Sequence, residues 1–161
     1  MAPPPLNPTR RYYPAGTRKC YFLATCANYL APTRAELNAG VDLSGEMESV
    51  TGFSLTSAMV NVPDMGSRFV SQIPGALESS KNDITFYQDL QSQDVRQIFA
   101  IGVTGFICML WDGDISGRLM DVFPVQVASV APDPAVTKGA TLSVDFAPSA
   151  VPAIGVVIPA G

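Results

Sequence analysis

The sequence predicts a mainly β protein, an antiparallel β-sandwich or incomplete barrel carrying one or two short α-helices. Three observations lead there. Apolar residues alternate with polar ones over short runs, most cleanly where Leu142, Val144 and Phe146 interleave with Thr141, Ser143 and Asp145. The runs are rich in β-branched and aromatic residues and are separated by Pro, Gly and Asp/Asn turns. Convincing helical periodicity is confined to one short segment, and capping signals mark a second short helix. A length of 161 residues suits one domain with a real core, and no repeat of fixed period is apparent.

Residues 1–16 are proline-rich and read as a flexible arm, with Arg10, Arg11, Tyr12 and Tyr13 as two charges and two aromatic anchors. The remainder, residues 17–161, reads as one β domain. Arg18 to Cys26 forms the first strand, with Cys20, Phe22, Ala24 and Cys26 on one face. A short helix follows: Thr33 and Glu36 have capping-box spacing, and Gly40 can end the helix in a left-handed conformation. Met47 to Val62 is the longest proline-free β-like stretch, with Gly52 as a bulge or bend. Pro63 to Gly66 makes a turn, Arg68 to Ile73 a returning strand, and Pro74-Gly75 with the polar run Glu78–Asp83 a loop.

Ile84 to Gln88 is a short strand. Ser92 can cap a helix whose Val95, Ile98 and Phe99 share an apolar face. Strands at 103–111 and 119–130 flank an acidic turn, Lys138-Gly139 leads into the strand 141–146, and Ala153 to Ile158 is a terminal apolar piece between Pro152 and Pro159. The turn Asp112-Gly-Asp114-Ile-Ser116-Gly117 copies the opening of a calcium-binding EF-hand loop. Counting from Asp112, however, the twelfth position is Phe123, where the loop needs a bidentate carboxylate. Its flanks are also strand-like, so the expectation is a hairpin and no metal site.

Composition narrows function. Fourteen acidic against ten basic residues give a formal charge of −4, without the clustered Lys and Arg of a nucleic-acid-binding surface. Only 15% of residues are charged while 47% are apolar, which is lean in charge for an isolated subunit and points to surface covered by partners. The chain has no histidine, which removes the usual general base and the commonest zinc ligand. The carboxylate pairs Glu46/Glu48 and Asp112/Asp114 lack the aromatic groove that sugar chemistry would use. No catalytic residue, cofactor or metal is therefore expected, and the chain reads as a non-enzyme. Cys20 and Cys26 would lie roughly 20 Å apart along one strand, too far for a disulfide, so reduced thiols and a cytosolic setting are expected. The N-terminus has no apolar leader-like run, and the apolar run Ile98–Trp111 is too short to span a bilayer, so no membrane anchor is expected.

The order of motifs carries a resemblance. "GTRKCYFLATCANYLAPTRAELNAGVDLSGEMESVTGFSL" (residues 16–55), followed by "IPG" at 73–75, "ITFYQD" at 84–89 and "MDVFPVQVASV" at 120–130, resembles the major tail tube proteins of long, non-contractile-tailed bacteriophages. The likeness covers about Gly16 to Pro159. It implies a β-sandwich-like subunit that assembles into hexameric rings, stacked as a hollow tube through which the genome is ejected. Its inner wall would be a barrel shared by all subunits. Partners would be further copies of the chain together with tape-measure, tail-terminator and baseplate proteins, with DNA passing through without specific binding. Assembly would take place in the host cytoplasm and the product would be the virion tail. The water-facing stretch Met47–Val62 suits such a wall, and Glu46 and Glu48 are the candidate lumen-facing acids. Arg10, Arg11, Tyr12 and Tyr13 in the arm, and Ile154, Val156 and Ile158 at the C-terminus, are candidate contacts between subunits. The alternative is a phage decoration or adhesin-type domain, or a carbohydrate-binding β-sandwich module.

Overall fold

The computed structural model describes residues 11–79, 81–91, 94–134 and 136–161. Among them are ten strands and two short helices in the order β1 (Lys19–Leu23), α1 (Arg34–Ala39), β2 (Val41–Asp42), β3 (Met47–Thr51), β4 (Leu55–Val62), β5 (Ser71–Ser79), β6 (Asn82–Tyr87), α2 (Asp94–Ile98), β7 (Thr104–Leu110), β8 (Leu119–Pro132), β9 (Thr141–Pro148) and β10 (Ala153–Val157). Eight strands form one antiparallel sheet in the order β2-β1-β7-β8-β9-β6-β3, with β10 also on β8, while β4 and β5 pair only with each other. The mainly β expectation holds.

β8 organises the sheet because its fourteen residues are long enough to serve two layers. Its first half pairs with β7 on one side and β10 on the other; its second half, from Val125 to Pro132, pairs with β9. Pro124 sits where β10 gives way to β9. Its carbonyl accepts from Ser149 N–H at 3.0 Å, so its missing donor falls in the gap between two partners and costs the ladder little. Between the layers lies the larger core, an aromatic cluster in which Phe22, Phe53, Phe86, Phe99, Phe123 and Phe146 meet mostly edge to face. α2 supplies Val95 and Ile98 to its margin, followed by buried Phe99. Ser92, expected to cap α2, lies outside the described residues.

A second core covers the other face of β1, β7 and β8, where Leu37 of α1 packs with Leu23, Cys108, Leu110, Met120, Val122 and Ile158. α1 begins in the predicted capping box: Thr33 Oγ1 accepts from Glu36 N–H at 3.3 Å, and Glu36 Oε2 accepts from Thr33 N–H at 2.7 Å. The Thr33 N–H, then the Ala27 N–H and the Thr33 hydroxyl, all donating to the Glu36 carboxylate, pull it down to about 2. Arg34, one residue into the helix, reaches the β7–β8 turn and makes a bidentate bond to Asp114 at 2.5 and 2.7 Å, and Tyr21 donates to the same carboxylate at 3.0 Å. The acidic turn is thus a hairpin turn tied to a helix.

Several boundaries differ from expectation for identifiable reasons. β1 stops at Leu23, so Cys26 lies beyond the strand; Cys20 and Cys108 are buried and all three thiols are free. Gly40 ends α1 in an extended conformation, φ −74°, and not a left-handed one. It is needed for close approach, since a Cβ there would lie 3.0 Å from both Leu23 Cδ1 and Phe22 O. Pro74-Gly75, expected in a loop, lies inside β5, and the strand starts at Ser71 instead of Arg68. A two-stranded ribbon leaves an outer edge that tolerates proline. The ladder also shifts there, between Ser57 and Met59, with Gly75 lying so near Ala58 O that a Cβ would be 2.6 Å from it.

The largest departure is at Met47–Val62, which is two strands in two sheets. Gly52 (φ +82°) and Phe53 (φ +52°) form the bend expected at Gly52, and the pairing resumes beyond it in the same register, Thr51 opposite Asp83 and Leu55 opposite Ser79. A bulky residue at positive φ is costly, and two contacts hold it: the Phe53 ring is buried against Phe123 and Phe146, and its N–H donates to buried Asn82 Oδ1 at 2.6 Å. Gly52 cannot be replaced, because a Cβ would stand 2.2 Å from Lys81 O. Gly52→Ala should therefore lose most native structure in urea titrations. Gly117→Ala, at a similar φ of +84° but facing open space, should cost only about 1 kcal/mol.

The Arg34–Asp114 pair gives a pH prediction. Its guanidinium, then the Tyr21 hydroxyl, hold the Asp114 carboxyl below the usual range. A depressed folded value contributes stability that is complete above the unfolded pKa, near 3.9, and is lost as pH falls through the folded one. Asp114→Asn should lower the melting temperature by a few degrees at pH 7, and its difference from wild type should shrink progressively below about pH 4.

Candidate assembly surfaces

The first surface is the β4–β5 hairpin. Its strands pack almost entirely against each other, and at about 3.3 Å per residue β4 is roughly 26 Å long. Cross-strand pairs define its two sides. Val60 opposite Ile73 and Val62 opposite Ser71 make one apolar side; Met59 opposite Pro74 and Asn61 opposite Gln72 make the other, where Gln72 Nε2 donates to Asn61 Oδ1 at 2.8 Å. Met65, Phe69 and Val70 crown the tip, with Phe69 77% exposed. An isolated two-stranded ribbon is marginal in water, and so many outward apolar side chains are unusual on a free surface.

The second surface is the outward face of β3, β6, β9 and the distal half of β8. Register lines up polar residues in rows: Thr51, Asp83, Asp145 and Ser129 in one, and Ser49, Thr85, Ser143 and Ala131 in the next. Asp145 Oδ2 accepts from Ser129 Oγ at 2.7 Å and its other oxygen meets Lys81 Nζ at 2.9 Å; Asp83 accepts from Ser143 Oγ at 2.5 Å. Two facing carboxylates cannot both ionise freely. Lys81 holds Asp145 low, while partial burial and its neighbour raise Asp83. The expected alternation in 141–146 created this face, although Thr141 itself is buried.

Glu46 lies in the turn before β3, its carbonyl accepting from Tyr87 N–H at 2.8 Å, and Glu48 sits at the register shift between Met47 and Ser49. Both are exposed, but at one end of the polar face and not among its central rows. At the C-terminus, Ile154 is exposed, Val156 is half-buried against the second core, and Ile158 is only 1% exposed inside it. Exposed Val157 stands beside Leu119 of β8.

In the arm, Arg10 lies outside the described residues, whereas Arg11 and Tyr13 are exposed. The Tyr12 hydroxyl bonds to the Asp112 carboxylate and, at 3.2 Å, to Trp111 O. Arg18 stacks over the Trp111 ring at 5.4 Å, and Arg118 Nη1 donates to Asp112 O at 2.5 Å. The turn that opened as a metal-loop look-alike thus receives the arm. No group of His, Cys, Asp and Glu among the described residues is arranged to hold a metal ion, and no helix among them is long and apolar enough to cross a membrane.

The stretch Met47–Val62 reads as one barrel-wall strand that includes Met59, Val60 and Val62, and nothing in the sequence signals that these leave the main sheet. The polar rows needed pairing partners that only the topology supplies.

The crystal structure of Hcp1 from Salmonella typhimurium is similar at a TM-score of 0.41 and 13% identity, over 83% of each chain. No curated protein matches the chain. A family model described as phage tail tube protein matches residues 6–161, nearly the whole sequence. The chain belongs to the phage tail tube protein family, as a structural component of a virion tail.

Proposed function

We propose that this chain is the repeating, non-enzymatic subunit of a tail tube: copies form hexameric rings, the rings stack, and DNA leaves the virion through the bore. The observation that carries the reading is the β4–β5 hairpin, in a chain of a family that builds tubes. It extends from β3 and β6 beyond the Gly52–Phe53 bend and presents apolar side chains that its own subunit leaves uncovered. A neighbouring copy is the natural cover, because burying the surface of Val60, Phe69 and Ile73 that is still exposed would contribute on the order of 1–2 kcal/mol per side chain. The low charge fraction and the exposed Ile154 and Val157 fit further contacts between copies. Tape-measure, terminator and baseplate proteins are the expected partners at the tube's interior and ends, and assembly would occur in the host cytoplasm.

Purified protein at high concentration should form hollow filaments of uniform width in negative-stain electron microscopy. Phe69→Asp, at the hairpin tip and outside both cores, should leave the circular dichroism spectrum unchanged and abolish filaments or raise the concentration they need at least tenfold. Filaments formed by Phe69→Asp at the wild-type concentration would remove the hairpin tip from the contacts, and a wild-type chain that stays monomeric would sink the tube reading.

A further inference from the structure

Asp83 and Asp145 face each other directly across the β6–β9 ladder, a register that sets their Cβ atoms about 5 Å apart on the polar face. Like charges in such a pair destabilise a sheet. The flanking strands do not cancel the repulsion. Thr51 of β3 stands beyond Asp83 and Ser129 of β8 beyond Asp145, and both are neutral. Ser143 of β9 donates to Asp83 Oδ2 at 2.5 Å, and Ser129 donates to Asp145 Oδ2 at 2.7 Å. Lys81, just before β6, is the one cation paired with either acid among the described residues. Its Nζ lies 2.9 Å from Asp145 Oδ1 and 3.9 Å from Asp83 Oδ2.

One lysine thus serves two acids, and its side chain is 71% exposed, so water screens it. The acids are drier, with the Asp83 side chain 16% and the Asp145 side chain 28% exposed. Asp145 Oδ1 is itself buried. Lys81 sits beside it out of line for a hydrogen bond, which leaves this oxygen without an aligned donor among the described residues. A buried acceptor without a donor is costly. The Asp83 carboxyl faces Asp145 and becomes a donor by keeping its proton. Partial burial first, then the Asp145 carboxylate, push Asp83 above the ordinary aspartate value, against the Ser143 hydroxyl and Lys81. Lys81 holds Asp145 below that value. The two directions are those of a proton donor and its acceptor.

We infer that Asp83 and Asp145 hold a single proton between them, carried by Asp83 and donated to Asp145 Oδ1, so that the polar face acts as a proton-gated charge step. With the proton in place, Lys81, Asp83 and Asp145 are together neutral. Once it leaves for solvent they carry one net negative charge, and the cross-strand repulsion returns. The inference concerns the sheet of one subunit and stands independently of the tube reading. A folded value raised above the unfolded one, about 3.9, gives stability that is complete below the unfolded value and is lost as pH rises through the folded one. Glu36 and Asp114 behave oppositely, since their depressed carboxyls stabilise at neutral pH and fail in acid. The shared proton therefore offsets, on the acid side, part of what those two lose.

Infrared titration of the full chain tests this, because the carboxylic-acid C=O stretch is read equally in monomers and assemblies. Asp83→Asn preserves shape and a donor toward Asp145, whereas Asp145→Asn removes the facing charge. Wild type should show the signal of about one carboxylic acid per chain with a midpoint above about pH 3.9. That signal should be absent from Asp83→Asn and shifted to lower pH in Asp145→Asn. Lys81→Gln should move it to higher pH, because the cation that favours ionisation is gone. In thermal melts Asp83→Asn should match wild type below about pH 4 and exceed it by a few degrees at about pH 7. A wild-type spectrum identical to that of Asp83→Asn, or a midpoint at or below about 3.9, overturns the inference. An Asp83→Asn chain less stable than wild type at about pH 7 does the same. Should Asp83→Asn fail to fold, wild type against Asp145→Asn decides, and an unmoved midpoint refutes the shared proton.

Discussion

Everything in the subunit hangs on β8 belonging to two layers at once. A sandwich ordinarily needs separate strands for its two sheets; here one continuous ladder turns from one to the other at Pro124. The aromatic core fills the angle between them. Because the layers share a covalent strand, their spacing and relative twist are fixed by backbone hydrogen bonds as well as by packing, and α1 can be anchored to the first layer by Arg34 without disturbing the second.

Much of this was legible in the sequence. The capping box at Thr33–Glu36, the alternation of Leu142, Val144 and Phe146, and the pairing of strands around Asp112–Gly117 all depend on local chemistry, and all hold. The misplaced features are those in which a distant residue decides. Gly40 is a glycine because of Leu23, not because of helix termination. Phe53 adopts positive φ because Asn82 and two other phenylalanines hold it, so a run that reads as one strand becomes two. Pro74 is tolerated in β5 because that ribbon has an open edge, a property of the pairing and not of the proline.

The assembly surfaces were less legible still. Composition shows that surface must be covered, but not which surface. Ile158 reads as outward by its place in an apolar tail, yet the chain folds it under Arg118, whose carbonyl accepts from its N–H at 2.7 Å, and into the second core. Tyr12 was singled out as an aromatic anchor, and its hydroxyl finds an intramolecular partner at Asp112. The polar rows remained invisible because Thr51, Asp83, Asp145 and Ser129 are far apart in sequence and meet only through register.

Among the described residues β3 pairs with β6 alone and the distal run of β8 with β9 alone, so each leaves an open edge, and irregularities flank both. Glu48 stands where the β3 ladder shifts, and Pro132, lacking a donor, ends the distal run of β8. Each therefore offers a regular template of only about three or four residues, shorter than the usual strand of five or six. A stray extended peptide gains little from so short a ladder, and a charge at one border and a proline at the other penalise imperfect matches. Such an edge is a poor seed for amorphous aggregation.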